Sequence, residues 1–352
     1  MLMIPNHPTP FRMPAEWEPH RATWLAWPHR RSDWPGKFRV IPHVYGEIVR
    51  LLSQHEAVHI VVNSVLERDA AKRILRKYLP DSVNVHWEIV ETDRSWLRDS
   101  GPIFAIDSDG AKTALDWRFN AWAKYDDWTH DDRLPVFVAN LRKLATVQPK
   151  RGDHRIVLEG GSFDVNGAGL LLTTEECLLS TVQRRNPTFE RADYEAAFHE
   201  FLGVRKVLWL NQGIAGDDTH GHVDDLARFV GPRTVVIVVE QNPSDVNHGP
   251  LQENLERLRG FTDLDGNKLE VVPLPMPRPV IYAGQRLPAS YANFYIANGL
   301  VLVPTFNDPA DRVALGILAE LFPNRDVVGI HSVDLVWGLG TLHCMSQQEP
   351  AD

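Results

Sequence analysis

The residues of this chain that could do chemistry fall in four short polar runs. Asp99 lies in Ser95–Pro102, beside Trp96 and Arg98, and Glu159 stands before Gly160-Gly161. Asp218, His220, His222 and Asp224 crowd the stretch Gly216–Asp225. Cys344 follows His343 close to the end of the sequence, after the glycine-rich turn Trp337–Gly340. A thiol there reads as sitting on a strained or exposed loop. Cys177, in the run Thr173–Leu179, reads instead as a small buried hydrophobe. Each site has a plainer reading beside the chemical one. Asp99 next to Arg98 suits a simple ion pair, Glu159 a turn, and His222 a structural histidine.

If Cys344, His222, Asp99, Asp224 and Glu159 share one pocket, the chemistry narrows. Cysteine attacks as its thiolate, and His222 can protonate a leaving group and later deprotonate water. Three carboxylates beside a thiol repel anions and raise its pKa unless a cation enters. A guanidinium is a planar cation with several N–H donors that carboxylates grip bidentately. The expected reaction is therefore hydrolytic deimination of a small cationic guanidino substrate. A metal is the rival for the Asp218/His222/Asp224 cluster, but the spacing lacks the paired His and Cys ligands of a zinc site.

The elements that must position these residues repeat along the chain. Runs rich in strand formers flank turn glycines at Gly110, Gly167, Gly231 and Gly299, recurring about every 60 residues. The expected hairpins are Pro102–Asp107 with Ala111–Phe119, Ser162–Val165 with Gly169–Thr173, Val223–Val230 with Thr234–Glu240, and Asn293–Ala297 with Leu300–Pro304. A helix-periodic segment and a further strand follow each: Pro135–Thr146 then Arg155–Leu158, Arg191–Leu202 then Lys206–Leu210, Asn247–Arg259 then Leu269–Leu274, Pro309–Leu321 then Asp326–Ile330. The N-terminal part runs strand Thr23–Trp27, helix Val40–Ser53, strand Val58–Val62, helix Leu66–Leu79 and strand Val83–Val90. About five α/β units predict one radial domain over residues 1–352, with the polar loops converging on its axis. An ordinary α/β sandwich is the alternative. Cys344 lies where the last unit must meet the first, near Trp17–Trp27.

Composition bounds the partners. The 352 residues are 43% hydrophobic and 24% charged, enough to bury a sizeable core. A net charge of −9 argues against nucleic acid. No apolar stretch reaches membrane-spanning length and no leader pattern opens the chain. Two cysteines form no disulfide framework, so a cytoplasmic location is expected. Tryptophan is abundant, at 11. Trp17, Trp24, Trp27, Trp96 and Trp122 read as blade packing and as a desolvating wall around a cation pocket.

These runs resemble the agmatine deiminase and bacterial peptidylarginine deiminase family. The resemblance rests on Phe11–His20, Thr23-Trp24, Trp27-Pro28, Trp96–Pro102, Phe119–Trp122, Leu158–Ser162, Leu172–Leu179, Asn186-Pro187, Gly221–Asp224, Ser290–Tyr295 and His343-Cys344. It implies a five-bladed α/β propeller of the pentein type, no metal or cofactor, and a tendency to form homodimers. By motif, Cys344 would be the nucleophile that forms an amidino-cysteine, and His222 the general acid and then base. Asp99 and Asp224 would hold the guanidinium, while Glu159 would orient His222 and keep it protonated. Trp96 and Asp218 would line the substrate's alkyl chain and distal amine. Agmatine would give N-carbamoylputrescine and ammonia.

The sequence departs from the agmatine-specific pattern at Trp34–Pro42, at Ala123-Lys124, at Gly338–Leu342 and at His220. These positions bear on the substrate's tail, so free arginine and peptidylarginine stay open as substrates. Two further alternatives are an amidinotransferase or dimethylarginine-type hydrolase of the same fold, and a non-catalytic cation-binding pentein. The segment Phe119–Trp128 reads either as a lid or as a packed surface loop.

Overall fold

A computed structural model describes residues 11–79 and 84–352. Val83 and the segment before Phe11, on which a strand start and part of the leader reading fall, lie outside the described residues. The chain is α/β. Among the described residues, five mixed sheets share one plan: an antiparallel pair extended by a parallel strand, with a helix in the crossover.

Three sheets follow the expected hairpins closely. Phe163–Val165 pairs antiparallel with Leu170–Thr174, which pairs parallel with Lys206–Leu210. Ala227–Phe229, Thr234–Val239 and Glu270–Pro275 repeat this order, as do Tyr295–Ala297, Leu300–Thr305 and Asp326–His331. The middle strands are rich in Leu, Val and Thr and buried on both faces, as parallel sheets covered by helices require. The crossover helices carry their own start signals. Glu190 and Asp193 form a capping box at Arg191–Leu202, and Asp308 and Asp311 form one at Pro309–Leu321.

The sheet of the first hairpin differs from expectation. Its order is Phe11–Arg12, Ile103–Asp107, Lys112–Leu115, Ala145–Val147. The parallel strand is thus Ala145–Val147 rather than Arg155–Leu158. The helix covers only Leu134–Arg142, because Lys143 turns left-handed at φ 57° and the β-branched Thr146 and Val147 run extended. Arg155 lies in a two-residue ribbon strand paired with Lys150–Arg151. Its guanidinium ion-pairs with Asp116 and, at 2.8 Å, with Asp132.

The fifth sheet joins the two ends of the chain. Ser346–Pro350 pairs antiparallel with His20–Ala26, followed by the parallel strands Ala57–Val62 and Val85–Ile89. Glu349 locks this closure from a fully buried position. It accepts from Trp24 Nε1 at 3.0 Å, Lys112 Nζ at 3.3 Å and Arg142 Nη2 at 2.9 Å. One carboxylate therefore ties the terminal strand to its neighbour and to the sheet and helix of the next unit. The apolar core divides into clusters between neighbouring sheets. Trp24 and Trp27 belong to these clusters, and Trp17 packs against one, so they stabilise sheets rather than wall a pocket. No helix among the described residues is long and apolar enough to cross a membrane.

Glu349→Ala strips a buried anion from Lys112 and Arg142. Breaking a buried pair from one side costs about 3 kcal/mol or more. The urea midpoint should fall accordingly, with Glu349→Gln intermediate; an unchanged midpoint would refute the closure role.

Candidate active site

The sequence places Asp99 just before a hairpin, and the structure shows how the loop presents it. Trp96 opens a one-turn helix, Leu97–Ser100, that carries Asp99 inward. Arg98 does not pair with its neighbour. It turns away to Glu16 at 3.2 Å, Gln348 at 2.6 Å and the His343 carbonyl at 3.3 Å. Asp99 instead accepts from Trp122 Nε1 at 2.8 Å and from the Gly161 N–H at 2.9 Å. Burial raises its carboxyl, His222 lowers it, and Asp224 and Glu159 raise it again, to about 6.

Glycine is required beside it for close approach. A Cβ on Gly161 would stand 2.6 Å from His222 Nδ1, 2.9 Å from Asp99 Oδ1 and 3.0 Å from Asp224 Oδ2. A Cβ on Gly160 would strike the Arg98 carbonyl at 2.3 Å. The Glu-Gly-Gly run is thus a backbone thin enough to let the polar side chains meet.

His222 is delivered by a loop that Asp217 folds. Asp217 accepts the N–H groups of Thr219, Gly221 and His222 at 2.8, 2.7 and 3.0 Å. His220 takes a left-handed conformation at φ 66°, and its Nε2 meets Ser180 Oγ at 3.0 Å. The His222 ring lies 3.8 Å from Asp99, 3.9 Å from Asp224 and 3.9 Å from Glu159. Both ring nitrogens, Asp224 Oδ1 and Glu159 Oε2 are buried without a hydrogen-bond partner among the described residues. Burial alone would depress the ring's pKa. Asp99, then Cys177 and Glu159, more than offset it, and His222 is held well above its ordinary range. Glu159 is fully buried; Arg185 at 3.0 Å, with help from His222, overcomes that burial and brings it down to about 2.

Cys344 sits on a one-turn helix, Leu342–Met345, and is buried. It is not on an exposed loop; the strained residue is Leu339, at φ 69°. Its Sγ accepts from Asn293 Nδ2 at 3.1 Å and lies 3.7 Å from Asp224 Oδ2. Burial, then Asp224, Asp225 and Asp99, push the thiol well above its usual value. Asp224 is itself held low, because the His343 hydrogen bond at 2.7 Å overcomes its burial. The other His343 nitrogen meets Glu16 at 2.8 Å.

Cys344, Asp99, Trp96, Trp122 and Asp218 line one cavity of about 530 Å³. His222 and Asp224 do not line it but lie buried against Asp99 and Cys344, at 3.8 and 3.7 Å, and Glu159 lies 3.9 Å from His222. Asp218 is ion-paired with Lys124, and its second oxygen accepts from Tyr125 at 2.7 Å. The segment Phe119–Trp128 is packed through these contacts and through Trp122. Two trios gather metal-capable atoms within 4.8 Å: Glu159/Cys177/His222 and Asp224/Asp225/Cys344. Arg185 already supplies a cation to the first.

Sequence reasoning missed several of these contributors. Asp217, Arg185, Asn293, His343 and Asp225 all hold or charge the site. Trp122, taken as part of a wall, is also a hydrogen-bond donor to Asp99. Cys177 is core, as expected, yet it also abuts His222. The only available signals were Asp217 preceding Asp-Thr, a common side-chain turn, and the adjacency of His343 to Cys344.

Relatives over nearly the whole chain place this α/β protein with the hydrolases that act on C–N bonds of linear amidines. Residues 12–350 match the sequence profile of the Porphyromonas-type peptidyl-arginine deiminases, and the chain belongs to that family. It is 34% identical to an agmatine deiminase of Pseudomonas aeruginosa, over 97% of this chain and 96% of that one. The structure of the Enterococcus faecalis agmatine deiminase superposes with a TM-score of 0.89 at 32% identity, covering 97% and 96% of the two chains. A substrate-bound C. jejuni agmatine deiminase gives 0.85 at 28% identity, covering 96% of each.

The pH profile of kcat/KM for ammonia release from a guanidine should fall as pH drops through about 6, where Asp99 protonates. Trp122→Phe removes a hydrogen bond to the ionised carboxylate and should move that limb to higher pH by about half a unit. A limb that stays in place would exclude Asp99 as its source.

Proposed function

We propose that this protein hydrolyses agmatine to N-carbamoylputrescine and ammonia through a covalent amidino-cysteine on Cys344. One observation carries the reading: Cys344 shares its cavity with Asp99 and lies 3.7 Å from Asp224, and after burial, Asp224, Asp225 and Asp99 push its thiol up, a penalty that a guanidinium held by Asp99 and Asp224 would relieve. The substrate cation, held between Asp99 and Asp224, thus makes its own attacking thiolate favourable.

The steps follow from the groups at hand. The thiol gives its proton to solvent water as the guanidinium binds, and Sγ, now the thiolate, attacks the central carbon. His222, held protonated, gives its proton to the departing nitrogen, and ammonia leaves as that C–N bond breaks. The neutral imidazole then takes a proton from water. The resulting hydroxide adds to the amidino carbon, the C–S bond breaks as the adduct's hydroxyl proton passes to the departing sulfur, and the ureido product leaves with the thiol and the protonated His222 restored. Glu159, itself anchored by Arg185, orients the imidazole. Trp96 lies along the alkyl chain, and Asp218 receives the distal amine. No metal or cofactor enters these steps.

The same architecture supports a five-bladed propeller. Five sheets repeat one strand plan, and the C-terminal strand pairs with an N-terminal one. Both cysteines are free thiols, which suits the cytoplasm.

Ammonia release from agmatine, free arginine and an arginine peptide tests the substrate. Agmatine should have the highest kcat/KM, and Cys344→Ala should lose at least about a thousand-fold in kcat. Preference for arginine or the peptide would overturn the substrate, and turnover by Cys344→Ala the mechanism.

A further inference from the structure

Lys124 belongs to none of the roles above, yet its ammonium is ion-paired with Asp218, one of the carboxylates lining the cavity. The backbone that presents it is tightly held. Ala121, Trp122 and Ala123 are three consecutive non-glycine residues in the left-handed region, at φ 49°, 58° and 53°. Side-chain contacts fix that strained turn. Asn120 Oδ1 accepts the Ala123 N–H at 3.0 Å, and Trp122 donates to Asp99. Gln183 Nε2 donates to the carbonyls of Trp122 and Asp218 at 3.2 and 3.0 Å, stapling the turn to the loop that carries Asp218.

The side chain of Lys124 is different: it is 39% exposed, against 17% for Asp218. An ion pair so exposed changes an equilibrium constant by only about one- to five-fold. Its long stem can swing into water while the backbone stays fixed. Tyr125 independently donates its hydroxyl to the second Asp218 oxygen at 2.7 Å.

We propose that Lys124 is a tethered stand-in for the substrate's distal ammonium, occupying Asp218 in the free protein and displaced by the substrate tail. The proposal rests on the reading that Asp218 receives that tail. Lys124 is then a specificity-determining residue. It satisfies Asp218 between turnovers and weakens the binding of every substrate whose distal end is an ammonium. A guanidine with an uncharged tail does not have to displace it. The apparent affinity for a cationic tail is reduced by the fraction of molecules in which Lys124 already holds the carboxylate.

The test compares agmatine with n-butylguanidine, which keeps the guanidinium and chain but lacks the ammonium. In Lys124→Ala and Lys124→Met, KM for agmatine should fall about three-fold or more, with kcat within about two-fold of the unsubstituted protein. KM for n-butylguanidine should stay put, and Lys124→Arg should behave like the original. Calorimetric titration of agmatine into Cys344→Ala, with and without Lys124→Ala, should show the same gain in affinity without turnover. A rise in KM for agmatine, or equal shifts for both guanidines, overturns the proposal while leaving the deiminase reading intact. Absence of ammonia from either guanidine with the unsubstituted protein overturns that reading and this proposal with it.

Discussion

The site is governed by the cost of burying several carboxylates beside one thiol. An ionised carboxylate away from water is tolerated only when paired. The fold meets that demand carboxylate by carboxylate. Glu159 has Arg185, Asp224 has His343, and Glu16 has Arg98 and Arg228. Among the described residues, Asp99 has no arginine or hydrogen-bonded histidine of this kind. It has only hydrogen bonds from an indole and a backbone amide, the His222 ring at 3.8 Å, and like charges nearby. Asp99 thus keeps the capacity to take up a further cation beside Cys344, and a guanidinium is one whose donors match a carboxylate.

That network also explains why distant parts of the chain must meet. Asp99, Glu159, His222 and Asp224, Asn293, and Cys344 with His343 come from five different stretches, and Glu16 reaches in from the N-terminal end. The Arg98 guanidinium contacts Glu16, Gln348 and the His343 carbonyl, so one residue joins the start, the first hairpin and the end of the chain. Pairing of the terminal strand with His20–Ala26 brings Cys344, two residues before that strand, to the site. The pairing of these two strands and the charge network around Cys344 therefore depend on each other.

Much of this was legible in order along the chain. Turn glycines, strand-forming runs and helical periodicity located most strands and helices within a few residues, since these signals are local. Ala145–Val147 was hidden because three residues carry too little periodicity to interrupt a helical pattern. The partners of the charged residues were also hidden. Arg98 stands beside Asp99 in sequence but serves Glu16, because a one-turn helix sends adjacent side chains in different directions. Trp24 and Trp96 look alike in composition, yet one is core and the other lines the cavity.

The sequence by itself determined the kinds of chemistry available: a cysteine, a histidine and enough carboxylates to favour a cation, set in loops between repeated α/β units. It also determined the glycines at 160 and 161, without which no backbone could pass between those side chains. Only the tertiary structure decided which charges neutralise one another, that Lys124 pairs with Asp218, and that Cys177 abuts His222. The reason is physical. Propensity and turn chemistry act over a few residues, whereas burial and Coulomb interaction depend on distances through space that closure of the chain alone sets.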